Sequence, residues 1–220
     1  MKTNNFKFNK RYFAHAKKTA QQVEAEISAG LALLNKIDEP IVTILGSHRA
    51  KPGSKYYEHA RKLGEELGRR GYAVATGGGP GIMQAANIGA SEVGAKSVGI
   101  KAGSLKNERV ANKIFTSQIS HQFLFVRRFI LAIKSNALVF YPGAFGTLNE
   151  FFEYVVLMQI NLMDEVPVVC VDRKYWHGLF KWLKTVPTKN DFYINERRDL
   201  SLIKFADSID ETIKIIQGKK

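Results

Sequence analysis

Two glycine-rich segments and one arginine hold the residue types that could do chemistry. The second segment, Tyr141-Pro142-Gly143-Ala144-Phe145-Gly146-Thr147-Leu148-Asn149-Glu150, follows an apolar run and leads into a helical pattern. The amides of Ala144, Phe145, Gly146 and Thr147 then precede the first helical hydrogen bond and converge near the positive end of the helix. That arrangement suits a phosphate, with the Thr147 hydroxyl as an added donor. Glu150 lies one helical turn beyond Thr147, on nearly the same face. A carboxylate in the first turn is favoured in its ionised form by the helix dipole. Glu150 therefore suits a nucleophile, a water-activating base or a stabiliser of positive charge better than a general acid. The same spacing also fits a capping glutamate with no chemical role.

The first segment, Thr76-Gly77-Gly78-Gly79-Pro80-Gly81-Ile82-Met83, also follows an apolar run. Consecutive glycines there let the backbone approach a ligand closely. The spacing is not GxGxxG and lacks the Lys-Ser/Thr of a P-loop, so neither nucleotide fingerprint applies. A tight strand-to-helix turn without a ligand stays open at this point. Arg127 and Arg128, on the helical stretch upstream of the second loop, could clamp a phosphate bidentately or lie on an amphipathic surface.

These residues need a frame. Residues 11–36 read as a helix, with Phe13, Ala16, Ala20, Val23 and Ile27 at helical spacing. Apolar runs at Ile41–Leu45, Tyr72–Thr76, Ser97–Ile100, Ala137–Tyr141, Val166–Val171 and Leu202–Ala206 read as strands. Helical patterns at Tyr56–Arg70, Ile82–Val93, Phe123–Ser135, Thr147–Leu162, Tyr175–Val186 and Ser208–Gln217 alternate with them. Residues 102–120 have no clear period and read as a polar connection of the length that often serves function; Asp191–Asp199 reads as a loop. The alternation predicts a Rossmann-like, doubly wound, mainly parallel α/β sheet, one domain over 1–220 with residues 1–38 as an N-terminal helical extension. Both glycine-rich loops should then share the rim at the carboxyl ends of the strands. Ser47, His48 and Arg49, after the first strand, belong to that rim, as does His121; His48, Arg49 and His121 are expected there as surface or supporting residues.

Together the two loops and Arg127 resemble the LONELY GUY family, cytokinin riboside 5′-monophosphate phosphoribohydrolases long labelled "lysine decarboxylase-like". The family's GGGxxGxM loop is similar to Gly77–Met83 and its PGGxGTxxE loop to Pro142–Glu150, with the arginine at Arg127. The resemblance runs from about Ile41 to Leu183, and Gln84-Ala85-Ala86-Asn87 is similar to the longer bacterial members. It implies hydrolysis of the N-glycosidic bond of a nucleoside 5′-monophosphate, AMP or an N6-substituted AMP, to free base and ribose 5-phosphate. Arg127 and Glu150 become the catalytic pair. Gly143, Ala144, Phe145, Gly146 and Thr147 would hold the 5′-phosphate, and Gly77, Gly78, Gly79, Ser47, Met83 and Arg128 would complete the nucleotide site. The resemblance also implies a homodimer or larger oligomer, with an apolar helix such as Phe151–Met163 at the interface.

The chain departs from the pattern in three places. Ala144 stands where the family has its second glycine; a negative φ there would keep the amide usable, whereas a positive φ would be strained. Asn149 replaces an acidic residue before the glutamate, and Ser104–Arg109 differs from the family's LPHEQ-type stretch. A non-catalytic binding protein resembling the molybdenum-cofactor carriers is the alternative reading.

Composition bounds the rest. The net charge of +13 could steer anionic ligands, but no Arg/Lys run is interleaved with aromatics, so nucleic acid is not the expected partner. No apolar run is long enough to span a bilayer and the start lacks a signal-peptide pattern, so a cytoplasmic protein is expected. Cys170 is the only cysteine and reads as strand core. No cluster at ligand spacing calls for a metal, no pyridoxal-phosphate lysine site is recognisable, and no cofactor is expected.

Overall fold

The computed structural model describes residues 15–103, 110–185 and 199–218. Helix α1 (Ala16–Asn35) leads into strand β1 (Ile41–Leu45), α2 (Lys55–Arg69) and β2 (Ala73–Thr76). Then come α3 (Ile82–Glu92), β3 (Ser97–Ala102), a short 3-10 turn at Asn112–Ile114 and β4 (Ser117–His121). The second half holds α4 (Leu124–Ala132), β5 (Ser135–Phe140), α5 (Phe145–Gln159), β6 (Val168–Val171), α6 (Arg173–Thr185), β7 (Ile203–Ala206) and α7 (Ile209–Ile216).

All seven strands pair in parallel, in the order β4-β3-β2-β1-β5-β6-β7. The chain winds outward in one direction from β1 and, after β4, crosses back to place β5 on the other side of β1. The strand order therefore reverses between β1 and β5, and the loops leaving these two strands diverge there. Such a crevice is where doubly wound sheets bind ligands.

Parallel strands covered on both faces must be apolar on both faces. Ile41–Leu45 and Val168–Val171 are buried throughout. One face of the sheet packs Val42, Ile44, Val74, Val139 and Val169 against Leu63 and Leu67 of α2, Ala85 and Ala86 of α3, and Ile213 of α7. On the other face, Ile41, Val98 and Ile100 meet Leu34 of α1 and Ile130 of α4. Leu138, Phe140 and Val168 meet Phe151 and Met158 of α5 and Trp176 of α6. Cys170 belongs to this last cluster, and burial pushes its thiol pKa well up, as a core residue rather than a nucleophile requires.

Most element ends fall within a few residues of the sequence expectation. The exception is the stretch read as a polar connection over 102–120, which contains the edge strand β4. Exposed Gln118 and Ser120 alternate with half-buried Ser117 and Ile119 and buried His121, because an edge strand here is covered on one face only. Residues 11–14, the departing segment 104–109 and most of the Asp191–Asp199 loop lie outside the described residues. Of the N-terminal helix, Val23 and Ile27 pack on the core, whereas Ala16 and Ala20 are exposed. No described helix is long and apolar enough to cross a membrane.

Candidate active site

The ends of β1 and β5 are tied together where they leave the sheet. Tyr141 N–H donates to the Leu45 carbonyl (2.8 Å) and Ser47 N–H to the Pro142 carbonyl (3.2 Å). Beyond this junction the two loops part around a cleft of about 330 Å³. Ser47, His48 and Arg49 form one wall, and Ala144, Gly146 and Thr147 the other. Met83, Leu124, Arg127, Arg128, Asn149 and Glu150 close it.

The β5 loop turns into α5 at Ala144, whose φ of −104° is comfortable for any residue. Alanine in place of glycine is thus unstrained, and its methyl borders the cleft. The first helical bond runs from Leu148 N–H to the Ala144 carbonyl (3.0 Å), so the amides of Phe145, Gly146 and Thr147 precede the helical ladder. Gly143 packs against Thr147 so closely that a Cβ there would fall 2.1 Å from the Thr147 hydroxyl oxygen. Tyr175, from α6, donates its hydroxyl to the Gly143 carbonyl (2.5 Å) and fixes the loop from outside.

Because α5 begins at Phe145, ahead of the expected Thr147, Glu150 sits in its second turn. The first turn holds no acidic residue. This excludes the capping-box reading and replaces the helix-dipole argument with a direct ionic contact. Glu150 Oε1 lies 3.7 Å from Arg127 Nη1, and both side chains are largely buried. Arg127 is itself anchored: its Nε–H donates to the Ile100 carbonyl (2.9 Å) and its Nη2 to the Gly77 carbonyl (3.2 Å). Both carbonyls belong to the ends of strands or to the loop after them, so the guanidinium spans β3, the first glycine loop and the cleft. Arg128 pairs with Glu153 and Tyr154 donates to the Arg128 carbonyl (3.0 Å), locking α4 onto α5.

The first glycine loop supports the site from beneath. Gly77, Gly78 and Gly79 are buried and are not among the residues lining the cleft. A Cβ at Gly77 would fall 1.9 Å from Arg127 Nη2. Gly78 N–H donates to the Thr76 hydroxyl (2.9 Å), which itself donates to the Asn87 carboxamide oxygen. Asn87 Nδ2 donates in turn to Ser97 Oγ (2.8 Å). A buried polar chain thus fixes the loop to β2, α3 and β3.

Of the expected site residues, Arg127, Glu150, Ala144, Gly146, Thr147, Ser47, Met83 and Arg128 meet in the cleft. Gly143 lies behind the loop, and Phe145 points into solvent at 89% exposure. His48 and Arg49 line the cleft directly, more closely than a surface role implies; their position immediately after β1 was the available signal. Leu124 was missed as a lining residue, and Asn149, singled out only as a departure from the family pattern, lines the cleft as well. His121 is fully buried at the end of β4, with Nδ1 3.7 Å from Glu26 Oε2. Among the described residues no group of three or more His, Cys, Asp or Glu could hold a metal.

The family described as "Possible lysine decarboxylase" matches residues 83–216. Comparison with curated proteins finds no match. Among solved structures, the molybdenum cofactor binding protein of the phototrophic bacterium Rippkaea orientalis is similar at 20% identity and a TM-score of 0.61, over 83% of this chain and 98% of that one. The Moco carrier protein of Chlamydomonas reinhardtii is similar at 23% identity and a TM-score of 0.55, over 82% and 96%. DNA processing protein A of Helicobacter pylori, solved for its single-stranded DNA binding mode, is similar at 13% identity and a TM-score of 0.53, over 85% and 83%. At these identities the likeness is one of fold.

Proposed function

Since this chain belongs to the LONELY GUY-type family described as possible lysine decarboxylases, we propose that it hydrolyses the N-glycosidic bond of a nucleoside 5′-monophosphate. The observation that carries this reading is the Arg127–Glu150 pair, 3.7 Å apart in a cleft that also holds the start of α5.

The 5′-phosphate sits on the amides of Phe145–Thr147 with the Thr147 hydroxyl as a further donor. This leaves the ribose beside Glu150 and the base towards Met83 and Leu124. As the bond from C1′ to the base nitrogen lengthens, its electron pair leaves with the base and positive charge grows on the ribose. The Glu150 carboxylate stabilises that oxocarbenium-like state or takes a proton from the attacking water. The water's hydroxyl ends on C1′ and a proton on the departing base, giving free base and ribose 5-phosphate. Arg127, tied to two backbone carbonyls, holds Glu150 in place. Decarboxylation of lysine through pyridoxal phosphate needs a Schiff-base lysine. Among the described residues, no lysine lines the cleft.

Incubation with AMP should release adenine, and Glu150→Gln should reduce that release by about a hundredfold or more, in the range set by loss of a positioned acid–base or electrostatic group. Wild type and variant equally inert across the common nucleoside monophosphates would sink the enzyme reading.

A second reading, a non-catalytic carrier of a phosphorylated ligand, is favoured by the Ala144 methyl at the cleft wall and by the names of two structural neighbours. It predicts a fluorescent pterin that co-purifies and is not consumed. For assembly, we propose a homodimer through the exposed apolar side chains of α4 and α5. Phe125, Phe129 and Ile133 on the first, and Phe152, Val156 and Ile160 on the second, are between 37% and 52% exposed and recur at helical spacing.

A further inference from the structure

Helix α4 begins without a cap of its own. Its N-cap residue is Phe123, whose side chain has no hydrogen-bonding atom, and the first helical bond runs from Arg127 N–H to the Phe123 carbonyl (3.1 Å). Amides ahead of that bond have no carbonyl within the helix to meet. Two donors at this start are met instead by one carboxylate on α1. Gln122 N–H donates to Glu26 Oε1 (3.0 Å) and Phe123 N–H to Glu26 Oε2 (3.2 Å). A negative charge there also faces the positive end of the helix dipole. The Glu26 side chain is only 12% exposed, and among the described residues no lysine or arginine lies within ion-pair distance of it. His121 Nδ1 is 3.7 Å away, but burial lowers the pKa of that imidazole despite Glu26, so the carboxylate is left to the two amides.

The two helices lie side by side and are joined again further along. Gly30 rests against Ile130, where a Cβ on residue 30 would fall 2.6 Å from Ile130 Cδ1. At the far end Lys134 Nζ donates to the carbonyls of Leu34 (2.9 Å) and Ile37 (2.6 Å). The pair is thus pinned at both ends, and the Glu26 joint is at the end that carries Leu124, Arg127 and Arg128 into the cleft. From Glu26 the bonds run to Phe123 N–H, from the Phe123 carbonyl to Arg127 N–H, and from the Arg127 guanidinium to the carbonyls of Ile100 and Gly77. A helix that loses its cap frays in its first turn, and Arg127 makes the bond that closes this one.

We propose that Glu26 is a positioning residue: by capping α4 it fixes Arg127 opposite Glu150, which makes the N-terminal helix a working part of the site as well as a cover for the sheet. This rests on the reading of Arg127 and Glu150 as the catalytic pair. Glu26 touches no ligand; it acts through the backbone of Phe123 on the arginine one turn later.

The test follows two quantities in the whole chain: the kinetics of AMP cleavage, and hydrogen exchange at Arg127 Nε–H, whose NMR signal is assigned by its loss in Arg127→Lys. Glu26→Ala should lower kcat by about tenfold or more, as for a misplaced positioning group, and leave KM within about threefold. Exchange at Nε–H should quicken by about five- to thirtyfold, the equilibrium factor of a lost helix cap. Glu26→Gln keeps one carbonyl oxygen for one amide. It should fall between wild type and Glu26→Ala in both readouts, and it carries the test if Glu26→Ala does not fold. Lys134→Met breaks the other joint of the same two helices. It should lower the melting temperature yet leave kcat and Nε–H exchange within about twofold, since it acts far from the first turn of α4. Equal losses in Lys134→Met, a fall in kcat with no change at Nε–H, or an unchanged kcat in the Glu26 variants overturns the positioning role and leaves the proposed activity standing. If the wild type cleaves no common nucleoside monophosphate, the enzyme reading falls. Nε–H exchange then decides alone: quickened in the Glu26 variants and not in Lys134→Met, it supports the hold of Glu26 on Arg127, and unchanged it overturns it.

Discussion

Arg127 occupies the space that a side chain at residue 77 would need: Nη2 bonds to the Gly77 carbonyl at 3.2 Å, and a Cβ on Gly77 would come within 1.9 Å of it. The first glycine-rich loop therefore serves the site by making room for the arginine that faces Glu150. Gly77→Ala should displace the guanidinium while leaving both members of the pair in the chain. The expected outcome is a fall in kcat for AMP of about ten- to a hundredfold, as for a misplaced positioning group, with little change in KM. Unchanged kinetics in a folded variant would refute the link.

Ala144 can be tested in the opposite direction. Its φ of −104° suits alanine, so the only effect of the methyl on ligands is steric. Ala144→Gly should lower KM for a nucleoside monophosphate a few-fold while costing about 0.4–1 kcal/mol of stability through the freer unfolded chain. A KM that stays the same would show that the methyl does not touch the phosphate.

Asn87, wholly buried, joins Thr76, Ser97 and the carbonyls of Val74 and Val98. Its removal strands several partners at once. Asn87→Ala should cost about 2 kcal/mol or more, a drop in Tm of roughly 4–8 °C for a chain of this size. A shift near zero would mean that water repairs the chain.

Two histidines, His121 fully buried and His59 half-buried, bear on stability in acid. Burial lowers the pKa of His121, with Arg127 adding to the shift and Glu26 opposing it, and burial likewise lowers that of His59. The folded state resists protons that the unfolded state accepts, so their contribution is complete above the ordinary histidine value of 6.5 and is lost as pH falls below it. Melting temperature should decline from pH 6.5 downward, and His121→Gln should flatten the decline. An unaltered profile would assign the effect to other groups.

The proposed dimer gives a test that does not depend on stability. Phe129→Glu or Val156→Glu should convert the species seen by light scattering to monomer without unfolding it. A wild-type monomer would remove the interface.

Much of this architecture can be read from one dimension, and the physical reasons differ by element. Strands β1 and β6 appear as unbroken apolar runs because helices cover both their faces. Strand β4 does not: Ser117-Gln118-Ile119-Ser120-His121 lies at the sheet edge, and Gln118 and Ser120 meet water. The glycine-rich turn between β5 and α5 is legible from residue type and spacing, whereas its pairing with Arg127 came from the family resemblance and not from spacing. The place of Gly77–Gly79 beneath Arg127 is not, since a glycine left bare for a distant side chain looks the same as one left bare for a ligand. The early start of α5 was hidden by Phe145, an aromatic that reads as interior and stands in solvent.

The pairing of β1 with β5 has a consequence for biogenesis. Ile41–Leu45 is made early, but the strand that covers its second edge, Ser135–Phe140, emerges from the ribosome much later. Until then a fully apolar segment presents unpaired backbone to its surroundings, the condition under which edge strands recruit other chains. The strand order that opens the cleft also makes its assembly the long-range step of folding. The chain should need chaperone protection during synthesis most until residue 140 has cleared the tunnel.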